Sequence, residues 1–330
     1  MNTETNIKVS VTMLCYKHAK YLRQCLEGIL SQKVNFKYEI VIGDDCSNDG
    51  SAEIIMEYKE RYPDVIVPLI NEVNLGASEN SFNIKLHCRG EYIASCEGDD
   101  FWIDNQKLQK QVDFLDSHPE YSAVATNTVL VDSDGQNPKI SLFCWQVNKT
   151  YRLKHYLRYG MVLHGNSIMY RNHGLETNEA YKRLRLAEPT MGDIISRVIF
   201  YDRGPIFVLP DITHAHRDGS KDATSFTAQQ QSKLLYHTKM YFRIVDDLTK
   251  YFDGKYNLEA LKANRLAAVF LATRFTNIKV DKTELKEVFS AVPRRYRVLA
   301  YAKFLRNLAR KVLRKLGRKF KLYYKTQKDT

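Results

Sequence analysis

The sequence lacks the features that direct a chain into or across a membrane. Residues 1–14, MNTETNIKVSVTML, have neither the basic start nor the apolar core of a signal peptide. No uncharged apolar run of about 18 residues occurs, so no membrane-spanning helix is predicted. The chain has six cysteines and no CxxC pair. We therefore expect a cytoplasmic protein with reduced thiols.

Several motifs that would define a cofactor site are also missing. No cluster of histidines and cysteines has the spacing of a zinc site. Neither GxGxxG nor GxxxxGK[ST] occurs, so no glycine-rich loop is available to hold phosphate groups. If the protein binds a phosphate-bearing ligand, we expect a metal ion to mediate the contact.

Excess positive charge is confined to the end of the chain. Residues 294–330 hold 14 of the 50 lysines and arginines but only one of the 38 acidic residues, so residues 1–293 are nearly neutral. Apolar residues recur there every three or four positions, which predicts an amphipathic helix with a basic face. They are Val298, Ala302, Leu305, Ala309, Val312, Leu316, Phe320 and Tyr323. We expect this helix to bind an anionic membrane surface; docking on the protein's own helices and nucleic-acid binding are the alternatives.

The first 132 residues alternate between two hydrophobic patterns. Continuous apolar, β-branched runs predict strands at 8–16, 38–45, 64–72, 90–100 and 121–132. Helical spacing predicts helices at 18–32, 47–63, 78–88 and 105–119. This alternation predicts an α/β fold with a mostly parallel sheet and helices on both faces.

The pattern loosens after about residue 140. Further strands are predicted at 165–171 and 204–220, and long helical stretches follow from residue 227. We place a domain boundary near 225, which gives an α/β domain over 1–225 and an α-helical C-terminal region over 226–330.

Polar clusters lie at the carboxyl ends of three of the predicted strands, at 15–17, 44–49 and 97–100. Ligands of open α/β sheets bind beyond the carboxyl ends of the strands. In CEGDD, Glu97, Asp99 and Asp100 lie so close that a cation or a bound proton must offset their repulsion, and Mg²⁺ or Mn²⁺ suits such oxygen ligands. The acids at 44–49 also suit simple capping of the next helix.

Four segments together resemble the family-2 glycosyltransferases of the GT-A (Rossmann-like) fold. They are VSVTMLCYKHAKYLRQCLEGILSQ, YEIVIGDDCSNDGS, NLGASEN and GEYIASCEGDDFWIDNQKLQKQVDFL. The likeness is close over about 7–130 and weaker to about 220. It implies a nucleotide-sugar half at about 1–130, an acceptor half at about 131–225, and inverting transfer of a sugar from a UDP- or GDP-linked donor with Mn²⁺ or Mg²⁺.

The resemblance also implies site residues. The nucleotide-sugar contacts would be Cys15, Tyr16, Asp44, Asp45, Asn80, Glu97 and Asp99, and the metal ligands Asp99, Asp100 and His216. Three positions depart from the family pattern: Glu97 replaces a more usual Asp, Cys15 a Thr, and Lys17 an Asn.

The remaining candidates concern the acceptor. Inverting transfer needs a base for the acceptor hydroxyl, and the resemblance of residues 188–200 points to Asp193, with Glu188 in reserve. His164 and Trp102 would lie on the acceptor side. The alternatives are a helix cap at Asp193 and packing roles for His164 and Trp102.

The combined prediction is a metal-dependent inverting glycosyltransferase. It would move a sugar, most simply from a UDP-sugar, to a glycan or lipid-linked acceptor in cell-surface polysaccharide synthesis, as a peripheral protein on the inner face of the membrane. No nucleic acid is expected as a partner. The alternatives are a nucleotidyl- or phosphosugar transferase and a catalytically inactive membrane-binding relative.

Overall fold

The computed structural model describes residues 6–142, 146–160, 163–187, 191–217, 233–275 and 280–308. Its contacts divide the chain into two compact units, Met1–Asp222 and Ala223–Thr330. Cys144, Glu188 and the basic segment from residue 309 onward lie outside the described residues.

The first unit alternates strands and helices along its first half, as predicted. The strands are β1 (Val9–Cys15), β2 (Tyr38–Asp44), β3 (Ile66–Ile70), β4 (Tyr92–Ser95), β5 (Phe101–Trp102), β6 (Ala123–Val131), β7 (Lys139–Ile140), β8 (Lys149–Tyr151), β9 (Ile168–Arg171) and β10 (Ile206–Arg217). The helices are α1 (Ala19–Leu30), α2 (Ser51–Arg61), α3 (Ala77–Leu86), α4 (Lys107–Ser117), α5 (Leu153–Tyr159), α6 (Glu179–Leu186) and α7 (Gly192–Arg203).

The strands of the described residues form one mixed sheet in the order β3-β2-β1-β4-β9-β6-β10-β5, with β7 beside β6 and β8 beside β10. Parallel pairing joins β3, β2, β1 and β4, and also β6 and β10. Strand β9 is antiparallel to both of its neighbours and links the two parallel parts. The predicted α/β class is confirmed, and the antiparallel link is an addition that the sequence pattern did not indicate.

Burial explains the long apolar runs of the first strands. Val9, Val11 and Met13 of β1 have no exposed surface, and the inward face of α1 packs on the same side through Leu22 and Leu26. Strands covered on both faces need apolar residues at consecutive positions. Because β2 and β4 both pair with β1 in parallel, the carboxyl ends of the three strands lie side by side at one edge of the sheet.

The second unit is helical over its described residues. It contains α8 (Leu234–Tyr251), α9 (Glu259–Phe275) and α10 (Lys282–Ser290), followed by a helix that begins at 294 and runs through 308. A small core that includes Leu266, Val269 and Val292 holds them together. Within the described residues, no helix combines the length and the hydropathy that crossing a membrane requires.

Candidate active site

The acidic loop CEGDD (Cys96–Asp100) follows β4 and folds against the end of β1. The amide of Gly98 donates to the carbonyl of Leu14 at 3.0 Å, and the amide of Asp100 donates back to the carbonyl of Glu97 at 2.9 Å. This tight turn places three carboxylates within one short segment at the sheet edge where ligands of α/β folds bind.

Asp100 is the structural anchor of this loop. It is fully buried and accepts hydrogen bonds from Asn166 Nδ2 at 2.7 Å, the Arg217 amide at 2.9 Å and His216 Nδ1 at 3.0 Å. Burial alone would raise the pKa of Asp100, but the hydrogen bond from His216 and its charge hold that pKa below the ordinary value. The same contact raises the pKa of His216 against the effect of its own burial.

Asp99 and Glu97 differ from Asp100 in having no such donors. Asp99 Oδ1 is buried without a hydrogen-bond partner among the described residues. Burial raises the pKa of Asp99, and the charge of Asp100 adds to this effect. The Glu97 side chain is exposed to the cavity, but the protein atoms around it displace part of its hydration, and this effect with the charges of Asp99, Asp100 and Asp193 raises its pKa to about 8. Such carboxylates favour a cation between them.

Three histidines lie beside the acidic loop. His164 Nδ1 lies 3.3 Å from His214 Nε2, and the rings of His164 and His216 have centroids 4.1 Å apart. Burial lowers the pKa of His164 to about 4, so its ring is neutral at physiological pH. Ligand atoms of Asp100, His164 and His214 all lie within 4.8 Å of one another. The imidazoles of His164 and His214 and the unpaired Oδ1 of Asp99 are groups that can hold a divalent ion.

A cavity of about 110 Å³ opens beside the acidic loop and contains Asp193. Asp193 lies in the first turn of α7, is exposed, and forms no hydrogen bond with the described residues. Glu97 and Asn166 line the same cavity. The structure thus places an available carboxylate next to the candidate metal site.

The predicted nucleotide contacts at the ends of β1 and β2 are largely buried. Cys15 is 1% exposed, and its carbonyl accepts from the amide of Asp45 at 2.9 Å. The Asp45 carboxylate accepts from the amides of Leu75 and Gly76 at 2.7 and 2.9 Å. Asn80 donates to the carbonyl of Gly43 at 2.9 Å. The Asp45 carboxylate thus holds the loop between β3 and α3, and Asn80 ties α3 to the end of β2.

Other parts of this region remain open to a ligand. Asp44 Oδ1 is buried without a partner among the described residues, and Tyr16 is 44% exposed. The backbone is left-handed at Lys17 and Cys46, with φ of 59° and 60°. Left-handed residues with side chains are uncommon and concentrate at functional sites.

Trp102 lies apart from the cavity. It is 4% exposed and packs in the main core, with the Lys107 ammonium 4.8 Å from its ring. The structure therefore favours the packing role that was the alternative for this residue.

Two residues that position the site were not identified from the sequence. Asn166 holds Asp100 from a turn that precedes β9. The Arg217 guanidinium bonds the carbonyl of Asp99 and the side chain of Gln24, and it lies 4.5 and 4.6 Å from the rings of Tyr21 and Phe101. Both are far in sequence from the acids they hold, so no local pattern could have indicated them.

A sequence profile described as glycosyl transferase family 2 matches residues 10–176, half of the chain. The chain belongs to glycosyl transferase family 2. An uncharacterized protein of Mycobacterium tuberculosis is 39% identical over 127 residues, which cover 38% of this chain and 37% of that protein. The poly(ribitol-phosphate) beta-glucosyltransferase of Bacillus spizizenii is 32% identical over 111 residues, covering 33% of this chain and 17% of that protein.

The solved structure of TarS residues 1–349 from Staphylococcus aureus, in complex with UDP-GlcNAc, shares the fold. It superposes with a TM-score of 0.61 at 18% identity and covers 91% of this chain and 89% of that one. The fold of this family-2 chain is therefore the GT-A fold. The sequence matches extend over 37% and 17% of the length of these two curated relatives.

Proposed function

We propose that this family-2 chain is an inverting glycosyltransferase that uses a nucleoside diphosphate sugar, most simply a UDP-sugar, as donor. The observation that carries the proposal is the shared cavity of Glu97 and Asp193 beside the acidic loop. The donor sugar would lie in this cavity, with its diphosphate at the acidic loop and its base toward Tyr16, Cys15, Asp44, Asp45 and Asn80.

Asp193 acts as the general base in this proposal. The acceptor hydroxyl gives its proton to the Asp193 carboxylate while its oxygen attacks the anomeric carbon. The bond between that carbon and the diphosphate oxygen breaks on the opposite face, and the nucleoside diphosphate leaves. Exposure and the lack of a partner among the described residues leave the Asp193 carboxylate free to accept the proton.

Asp99, Asp100 and His216 would hold Mn²⁺ or Mg²⁺, with His164 and His214 close enough to contribute. The unpaired Oδ1 of Asp99 and the neutral imidazoles fit such an ion. When bound, the ion offsets negative charge on the departing diphosphate. Arg217 and Asn166 keep the acidic loop in position for this role.

The acceptor in this proposal is a glycan or a lipid-linked sugar of a cell-surface polysaccharide, reached from the cytoplasmic face of the membrane. The Bacillus spizizenii relative supports this acceptor class, because its name gives poly(ribitol phosphate) as the polymer that it glucosylates. The helix over 294–308 adds support: Val298, Tyr301 and Leu305 are 67%, 57% and 48% exposed along one side. An apolar stripe left open at the start of a basic segment suits an anionic membrane. We propose 1–225 as the catalytic domain and 226–330 as the membrane-binding region.

The direct test replaces the proposed base. Asp193→Asn should lower the release of UDP from a UDP-sugar that the enzyme uses by about 10²- to 10⁴-fold. Binding of UDP with Mn²⁺ should not change, because the substitution keeps the size of the side chain. Glu179→Gln, in the first turn of α6, is the matched control and should keep full turnover. Full turnover in Asp193→Asn, or release of pyrophosphate instead of UDP, would contradict the proposal.

A further inference from the structure

The cavity beside Asp193 has a basic end that the proposed reaction does not use. Lys85 of α3, Tyr170 of β9 and Arg185 of α6 line it, and we call these three residues the basic subsite. They come from three separate elements and meet in the same cavity as the proposed base.

The Arg185 guanidinium is buried and poorly satisfied. The residue is 6% exposed, and its Nη2 donates to Ser81 Oγ at 3.4 Å, near the limit for a hydrogen bond. Its Nε and Nη1 are buried without a hydrogen-bond partner among the described residues. A Cβ at Gly192 would lie 1.9 Å from Nη1, so glycine at this position leaves the space that the guanidinium occupies.

Tyr170 adds a second unsatisfied group to the basic subsite, and Lys85 adds a second cation. The Tyr170 hydroxyl is buried without a partner among the described residues, and the Lys85 ammonium lies 5.8 Å from its ring centroid. Burial and the charge of Arg185 lower the pKa of Lys85 to about 8, against the opposing charges of Glu176 and Asp193. A buried guanidinium and a buried hydroxyl without adequate partners are costly unless a ligand satisfies them.

We propose that the basic subsite binds an oxyanion, a carboxylate or a phosphate, carried by the sugar substrate. This inference rests on the proposed function, because the same cavity would receive the sugar. A guanidinium pairs with such groups through two parallel hydrogen bonds, and a nearby ammonium and hydroxyl add single donors. The substrate would then be an acidic sugar, either as the donor (a uronic acid linked to a nucleoside diphosphate) or as an acceptor that carries a uronate or a phosphate.

Calorimetric titration of the full chain with Mn²⁺ tests this in two arms. The donor arm compares UDP-glucuronic acid with UDP-glucose. The acceptor arm adds UDP and compares glucuronic acid and glucose 6-phosphate with methyl glucoside. We expect the acidic ligand to bind at least tenfold more tightly in one arm, which identifies the source of the oxyanion.

The preference should depend on the basic subsite. Arg185→Gln should reduce it to within twofold, and Lys85→Gln provides a second variant if the first does not fold. Arg183→Gln, an exposed arginine of the same helix, is the matched control and should keep the preference.

Two outcomes would overturn the inference while leaving the proposed function intact. One is normal UDP binding with no acidic preference in either arm, and the other is a preference that survives both substitutions in the basic subsite. Failure of UDP itself to bind would contradict the proposed function and this inference with it.

Discussion

Three neighbouring carboxylates of the acidic loop have different environments. Asp100 accepts hydrogen bonds from three protein groups, Asp99 has an unpaired oxygen, and Glu97 faces the cavity. Their clustering is visible in the sequence, and it predicts a bound cation because carboxylates this close repel one another. It could not divide their roles, because the donors to Asp100 come from residues 66 and 117 positions later.

The buried Lys107 should make the free energy of unfolding depend on pH. It is fully buried beneath Trp102, and burial lowers its pKa to about 7 from 10.5. Between about pH 7 and pH 10.5, Lys107 is neutral in the folded state and protonated in the unfolded state. The free energy of unfolding should therefore rise with pH across this window, by about 1.4 kcal/mol per unit, and this gain should be absent below pH 7.

Denaturant unfolding of Lys107→Met measures this effect. The wild-type protein should gain stability relative to the variant as pH rises from 7.5 to 9.5. Lys33→Met removes an exposed lysine and should show no such slope. A difference between wild type and Lys107→Met that stays constant with pH would show that Lys107 is protonated in the folded state.

The loop that joins β3 to α3 is held by a carboxylate that directly follows β2. Asp45, at the end of β2, accepts the amides of Leu75 and Gly76, which lead into α3. Asp45→Ala would leave the Leu75 amide without its acceptor, while the Gly76 amide would keep a contact with Asn74 Oδ1 at 3.1 Å. We expect the free energy of unfolding to fall by about 1–3 kcal/mol, the cost of one donor left unsatisfied.

Chemical denaturation checks this prediction, with Asp64→Ala as the control. Asp64 is exposed just before β3, and its loss should change stability by less than about 0.5 kcal/mol. Equal, small effects of the two substitutions would show that the loop before α3 does not depend on Asp45.

Elements of the first half could be predicted because their hydrophobic periods are clear. Continuous burial in β1 and the helical spacing of α1 appear directly in the sequence. The second half was less predictable. Helix α5 has seven residues of which one is buried, so it has almost no apolar pattern. The antiparallel placement of β9 depends on pairing with β4 and β6, which no local pattern encodes.

The same limit applied to the candidate site. Residues at strand ends, such as Asp44 and Glu97, could be identified because a parallel sheet brings its carboxyl ends together. Arg185 could not, because its importance depends on the space that Gly192 provides and on the lack of hydrogen-bond partners for its Nε and Nη1 among the described residues. A buried arginine in an amphipathic helix has no sequence signature that separates it from an exposed one.

The whole molecule combines a nearly neutral body with a basic end. Residues 309–330 contain nine lysines and arginines and one acid. Each basic residue near an anionic bilayer contributes about 1 kcal/mol. Shortening the chain to end at Leu308 should therefore weaken its binding to phosphatidylglycerol vesicles by about 100-fold or more.

Vesicle flotation measures the binding of both forms. The shortened chain keeps every described residue. Binding of the full chain should also fall at high salt and on neutral phosphatidylcholine vesicles, because the attraction is electrostatic. Equal flotation of the full and shortened chains would exclude the basic segment as the membrane contact.

The acidic loop should bind a nucleoside diphosphate through a metal ion, and thermal unfolding with UDP and Mn²⁺ measures this binding. A ligand at 100 times its dissociation constant adds about 2.7 kcal/mol to folding. We expect a rise in melting temperature that requires both UDP and Mn²⁺, disappears in Asp99→Asn and persists in the exposed control Asp134→Asn. No rise with UDP, or an equal rise in Asp99→Asn, would contradict it.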